Sequence, residues 1–208
     1  MYKHTKENRD SMTPDFAKKL LQEGNERFCR NLQRNHDLLQ QVNETRDGQW
    51  PFAAVLSCID SRTSAELIFD QGLGDIFSVR IAGNFVNDDI LGSLEFSCKI
   101  AGAKLIVVLG HTRCGAIMGA CDDVELGHLT GLLRNIRPAV EAVREPEDPA
   151  LRSSRNAEFV EAVARAHVGR VVESIPERSS VLEELRLAGA IDVVGAVYDV
   201  SNGRVEFL

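Results

Sequence analysis

The chain has 208 residues, is 44% hydrophobic and 26% charged, and carries a net charge of −7. That is enough chain for one domain, 1–208, with a sizeable core and the composition of an ordinary soluble globular protein. The acidic balance excludes the basic face of a nucleic-acid binder, and no apolar run approaches the roughly 18 residues of a membrane span, so neither nucleic acid nor membrane is expected as a partner.

Residues 1–12 read as a loose polar tail without an apolar h-region, so no secretory signal is expected. Five cysteines, an odd number, then favour reduced thiols and a cytoplasmic location. From Thr13 to Asn31 the pattern is helical: Thr13 caps, Pro14 suits the first helical position, and Phe16, Leu20, Leu21 and Phe28 share a face. This helix packs either on its own domain or on a partner subunit. Residues 32–50 read as a wrapping loop, so 13–50 form an N-terminal helix and arm ahead of a core at 51–208.

The core opens with a strand at about 52–58, a short helix at 63–70 and a second strand at about 76–82. Asn87 or Asp88 caps a helix that runs to about Ala101, with Ile90, Leu91, Leu94 and Cys98 on its buried face. A third strand covers 104–110, followed by helices at 115–121, 129–144 (despite Pro138), 154–174 and 179–188. Residues 191–200 read as a central strand, and Asn202-Gly203 as a hairpin turn into an edge strand at 204–208. Strands alternating with helices predict an α/β fold: a mostly parallel central sheet of four to five strands with flanking helices.

Two of these strands end alike. Ala53-Ala54-Val55-Leu56-Ser57 runs into Cys58-Ile59-Asp60-Ser61-Arg62, and Leu105-Ile106-Val107-Val108-Leu109 runs through Gly110 into His111-Thr112-Arg113-Cys114-Gly115. If the strands are parallel neighbours, Cys58, His111 and Cys114 converge at their carboxyl ends, where open α/β sheets bind ligands. Two thiolates and an imidazole suit zinc, and three protein ligands leave one position open for chemistry. Cys29, Cys98 and Cys121 read as buried, inert thiols, and His4, His36, His128 and His167 as surface or packing residues.

Asp60 and Arg62 stand two apart in an extended segment and can project the same way. Taken alone the pair is a structural salt bridge. Beside Cys58 it becomes a device in which Arg62 keeps Asp60 ionised, and an ionised carboxylate only accepts hydrogen bonds.

With both motifs in place, and with Val79-Arg80-Ile81-Ala82-Gly83-Asn84 between them, the sequence closely resembles the β-class carbonic anhydrases, over roughly residues 16–205. The resemblance implies reversible hydration of CO2 to bicarbonate and a proton by zinc-bound hydroxide, with one Zn(2+) per chain on Cys58, His111 and Cys114. It implies Asp60 and Arg62 as the catalytic dyad, and a homodimer or higher homo-oligomer with active sites near the interface. It matches Gln49 to a glutamine that reaches substrate across that interface, Phe77 to an aromatic lining the CO2 pocket, and Gly115 to the backbone position beside the last ligand.

The family divides by resting state. In one group the carboxylate equivalent to Asp60 swings onto zinc at lower pH, and a Trp and a Gly precede the first cysteine. Here Val55 and Ser57 stand at those positions. With Gln49 present, the open, non-allosteric form is expected, with activity rising toward alkaline pH. A hydrolase of CS2 or COS with the same ligands, and a zinc- or bicarbonate-binding module without turnover, are the alternatives. The intact dyad speaks against the latter.

Overall fold

The structure, a computed structural model, describes residues 5–208. Of the expected loose tail, residues 1–4, and His4 with them, lie outside the described residues, and the remainder is ordered. Thr5 caps a short helix α1 (Lys6–Asp10), whose Arg9 is buried, ion-paired to Asp10 and set over the Trp50 ring. Helix α2 (Pro14–Cys29) follows as expected, with Thr13 accepting a hydrogen bond from the Phe16 amide. The expected loop at 32–50 contains a helix, α3 (Leu38–Thr45), capped by Asp37 through the Gln40 amide at 2.9 Å. Its Leu38, Leu39 and Val42 lie on one face yet are half exposed or more, so this short apolar stripe does not pack into the core.

The core elements are β1 (Ala53–Ser57), α4 (Ala65–Ile68), β2 (Ile76–Arg80), α5 (Asp88–Glu95) and β3 (Leu105–His111). They continue with α6 (Gly115–Cys121), α7 (Gly127–Leu133), α8 (Arg137–Ala142), α9 (Ala157–Arg178), α10 (Ser180–Leu187), β4 (Asp192–Tyr198) and β5 (Val205–Phe207). A π-helical turn, Phe96–Ile100, prolongs α5. The helix expected over 129–144 is two helices, because Pro138 lacks an amide hydrogen and starts α8 instead of continuing α7. Helix α9 passes the expected stop at Ser174 and holds Pro176 in its last turn, where the missing amide hydrogen removes one ladder bond, to the Val172 carbonyl.

The five-stranded sheet has the order β2-β1-β3-β4-β5. The first four strands run parallel and β5 returns antiparallel through the Asn202-Gly203 turn. Every residue of β1 and β3 is buried, as expected when helices cover both faces of a parallel sheet. On one face Val55, Leu105, Val107 and Leu109 pack with Ala17 and Leu21 of α2 and Ile68 of α4. Thus α2 packs on its own domain. On the other face Ala54, Leu56, Ile106 and Val108 pack with Leu94 of α5, Val168 and Ile175 of α9, and Leu182 of α10.

From β1 the chain steps to one side to make β2, and later places β3 on the other side. The sheet therefore has its switch point between β1 and β3, where diverging crossovers leave a crevice at the carboxyl ends. A third apolar cluster, drawn from α6, α7, α8 and the start of α9, closes around that end.

Candidate metal centre and catalytic dyad

Cys58 follows β1 directly, His111 is the last residue of β3, and Cys114 precedes α6. Residues 53–57 of β1 pair in register with 105–109 of β3, so the two strand ends are neighbours. Arg113, in the left-handed region at φ 54°, turns the chain sharply enough to bring Cys114 back beside His111. The ligand-type atoms of Cys58, His111 and Cys114 all lie within 4.8 Å of one another, and the three residues are only 4%, 1% and 1% exposed.

These residues fit a bound cation. The His111 Nδ1 lies 2.9 Å from the Thr112 carbonyl and donates its hydrogen there, which leaves Nε2 as a bare acceptor. That Nε2 is buried and has no hydrogen-bond partner among the described residues, an arrangement that costs stability unless something with positive charge approaches it. The thiols give the same indication. Hydrogen bonding from Cys114, outweighing burial and helped by the Gly83 amide, pulls the Cys58 thiol far below the usual range. Sharing with Cys58, together with burial, pushes Cys114 up. Two adjacent thiols cannot both ionise here without a cation between them, and a metal ion deprotonates coordinating thiols outright.

Beside this cluster, Arg62 grips Asp60 at both oxygens: Nε to Oδ1 at 2.9 Å and Nη2 to Oδ2 at 2.8 Å. The Arg62 backbone amide adds a third bond to Oδ1 at 2.9 Å. These Arg62 hydrogen bonds outweigh burial and hold the Asp60 carboxyl well below the usual carboxylate range. Asp60 Oδ2 lies 4.0 Å from His111 Nε2. The carboxylate therefore faces the position a metal would take without occupying a hydrogen bond to the imidazole.

Sequence reasoning missed the scaffold under this loop. Arg80, at the end of β2, donates to the carbonyls of Cys58 (3.0 Å) and Asp60 (2.6 Å), and the Thr63 hydroxyl shares its single hydrogen between the same two carbonyls. Arg80 lay within a stretch already noted for its resemblance, but nothing in its spacing announced that it binds backbone.

The other expected site residues are placed differently. Gly115 opens α6 next to Cys114, and a side chain there would meet nothing within 4 Å among the described residues, so space is open in front of it. Phe77 pairs in register with Ala54, four residues before Cys58, which sets it about 13 Å along the strand from that ligand. It packs against Phe96, ring centroids 6.3 Å apart. Gln49 is exposed and precedes the amino end of β1, opposite the ligands. The single chain thus brings neither Gln49 nor Phe77 to its own metal cluster. A cleft of about 1440 Å³ borders Thr112 and Arg113 but is not lined by the three metal residues. Cys98 is buried, as expected, and burial pushes it to about 12; Cys29 and Cys121 are only half-buried, which corrects their reading as core residues.

A profile of the carbonic anhydrase family matches residues 53–205, a span that contains the whole cluster. The chain belongs to the β-carbonic anhydrase family. It is 37% identical over 196 residues to carbonic anhydrase 2 of Mycobacterium tuberculosis, covering 92% of this chain and 91% of that protein. It is 36% identical over 198 residues to the carbonic anhydrase of Mycolicibacterium smegmatis, covering 93% and 92%. Among solved structures, the β-carbonic anhydrase CafA of Aspergillus fumigatus superposes with a TM-score of 0.71 at 29% identity, covering 82% of this chain and 81% of that one. Zinc is the family's metal, and Cys58, His111 and Cys114 form a set able to hold it.

Proposed function

We propose that this protein is a zinc-dependent carbonate dehydratase that interconverts CO2 and water with bicarbonate and a proton. The observation that carries this reading is the buried Cys58–His111–Cys114 cluster with the Arg62-clamped Asp60 carboxylate facing it at 4.0 Å.

When bound, zinc supplies Lewis acidity, which makes water a nucleophile near neutral pH. The residues of the chain do the rest. His111, locked by the Thr112 carbonyl, presents a neutral Nε2 to the metal. Asp60, ionised and acceptor-only, takes the O–H of the attacking oxygen at Oδ2, so that a lone pair is turned toward the carbon of CO2. Arg62 holds the carboxylate in one plane, so this aim costs no reorganisation at the moment of reaction. The open space at Gly115 gives room for substrate beside the last ligand. Among the described histidines, His36 is tied to Asp70 and His167 to Gly83, so neither is free to ferry the released proton.

The working unit in this proposal is a homodimer or larger homo-oligomer. Among the described residues, strand β2 pairs only with β1 and leaves one edge open, and Ile59, Leu67, Phe96 and Ile100 are each more than half exposed. Large exposed apolar residues near an open edge mark an association surface. Such an interface is what would carry Gln49 to a neighbour's metal, as its sequence match implies. Single-domain organisation over 1–208 and a cytoplasmic location belong to the same proposal. Five free cysteines support the location, and among the described residues no helix is long and apolar enough to cross a membrane.

The test compares the zinc-loaded protein with His111→Ala for CO2-dependent proton release. Release by the first and none by the second supports the reading. No release by a fully zinc-loaded wild type contradicts it, and turnover of COS or CS2 by that same sample would redirect it.

A further inference from the structure

His167 lies mid-way along α9, only 3% exposed, and burial holds its imidazole below the ordinary histidine range. Its Nε2 stands 2.7 Å from the carbonyl oxygen of Gly83, 84 residues away in sequence. A carbonyl only accepts, so this nitrogen carries the hydrogen and donates it. Gly83 is itself confined. Its φ is +75°, and a Cβ there would sit 2.5 Å from Ile136 Cδ1, so no other residue adopts this conformation here without strain. From this position the Gly83 amide donates to the Cys58 sulfur at 3.4 Å.

One residue of backbone is therefore held at its carbonyl by a buried imidazole and spends its amide on a metal-ligand sulfur. Hydrogen bonds to ligating groups fix their orientation and tune their donor strength, and losing such an outer partner costs about 10- to 100-fold in metal affinity. We propose that His167 is a positioning residue of the metal centre: by holding Gly83 it fixes the amide that hydrogen-bonds the Cys58 thiolate. It touches neither metal nor substrate. The inference rests on the reading of Cys58, His111 and Cys114 as the zinc ligands.

The test uses the full chain, with zinc affinity measured by chelator competition and the sulfur-to-cobalt charge-transfer band recorded after Co(2+) substitution. His167→Leu removes the donor. It is expected to weaken zinc binding about 10-fold or more and to shift the band, while His167→Gln, which keeps an N–H near the same place, restores most of both. If the Leu variant does not fold, His167→Asn takes its place, since its amide is too short to reach Gly83. Wild-type affinity and an unchanged band in a folded Leu or Asn variant would overturn the inference and leave His167 a packing residue. A wild type that binds no zinc would overturn the underlying ligand reading as well, and so is distinguishable from that result.

Discussion

Arg62 and Asp60 meet as a fork on a fork, with two parallel N–H to oxygen contacts of 2.9 and 2.8 Å. Such geometry belongs to guanidinium alone; a lysine supplies a point charge without the plane. Arg62→Lys should therefore keep zinc but lose turnover, and Asp60→Asn, which exchanges an acceptor for a donor, should lose about 100- to 10,000-fold in kcat. Steady-state CO2 hydration with zinc content assayed on the same samples checks both. Near-normal kcat in Asp60→Asn would reduce the pair to a structural salt bridge.

Removing a ligand should act on metal first. Cys58→Ser or His111→Ala leaves two protein ligands where a stable site needs at least three. Each variant should retain less than about a tenth of the zinc after dialysis against a weak chelator, with hydration falling in proportion. Retention of zinc by His111→Ala would mean that the metal sits elsewhere.

A second ionic cluster serves stability. Asp70, with its side chain 1% exposed, receives Arg27 Nε at 2.5 Å, His36 Nε2 at 3.0 Å and the Arg34 amide at 3.1 Å. Burial alone would push its carboxyl up, but Arg27, His36 and Arg34 together outweigh burial and hold it below the ordinary value. A carboxyl lowered on folding stabilises the fold above the unfolded value of about 3.9, and that contribution is lost as pH falls through the folded value. Asp70→Asn should cost about 2 kcal/mol at neutral pH. Urea unfolding at a series of pH values should show the gap to wild type closing below about pH 4. A gap independent of pH would mean that the charge contributes nothing.

Gly24→Ala tests the packing of α2. In an exposed helix this change gains about 1 kcal/mol. Here the added Cβ would land 1.8 Å from the Phe69 carbonyl oxygen, a backbone atom that cannot swing aside. The variant should lose about 1–3 kcal/mol or more, read from its denaturation midpoint. A stabilised variant would show that α2 and the Phe69 segment do not approach so closely.

Much of this architecture is legible in the chain, for physical reasons. Val55, Leu56 and the run Leu105–Leu109 read as strands because helices cover both faces of the sheet, so no polar alternation interrupts them. Cys58, His111 and Cys114 are legible because a switch point gathers strand ends, and soft ligands at two such ends have one place to meet. Helix α3 was missed because it spans only eight residues, too short for its apolar spacing at Leu38, Leu39 and Val42 to repeat among the surrounding polar residues. The break between α7 and α8 was missed because the apolar spacing runs on through Pro138. The link from His167 to Gly83 and Cys58 joins distant segments through a backbone carbonyl, and a carbonyl leaves no trace in residue identity. Gln49 and Phe77 were found only by resemblance, and the single chain holds them away from its own metal residues.

The most direct test is a zinc titration of metal-free protein, with initial CO2 hydration rates taken by stopped flow at several pH values from about 6.5 to 9. The rate should climb linearly with added zinc, stop at one zinc per chain, and rise smoothly toward alkaline pH. Full zinc occupancy with no hydration at any of these pH values would contradict the assignment of this site to CO2 chemistry.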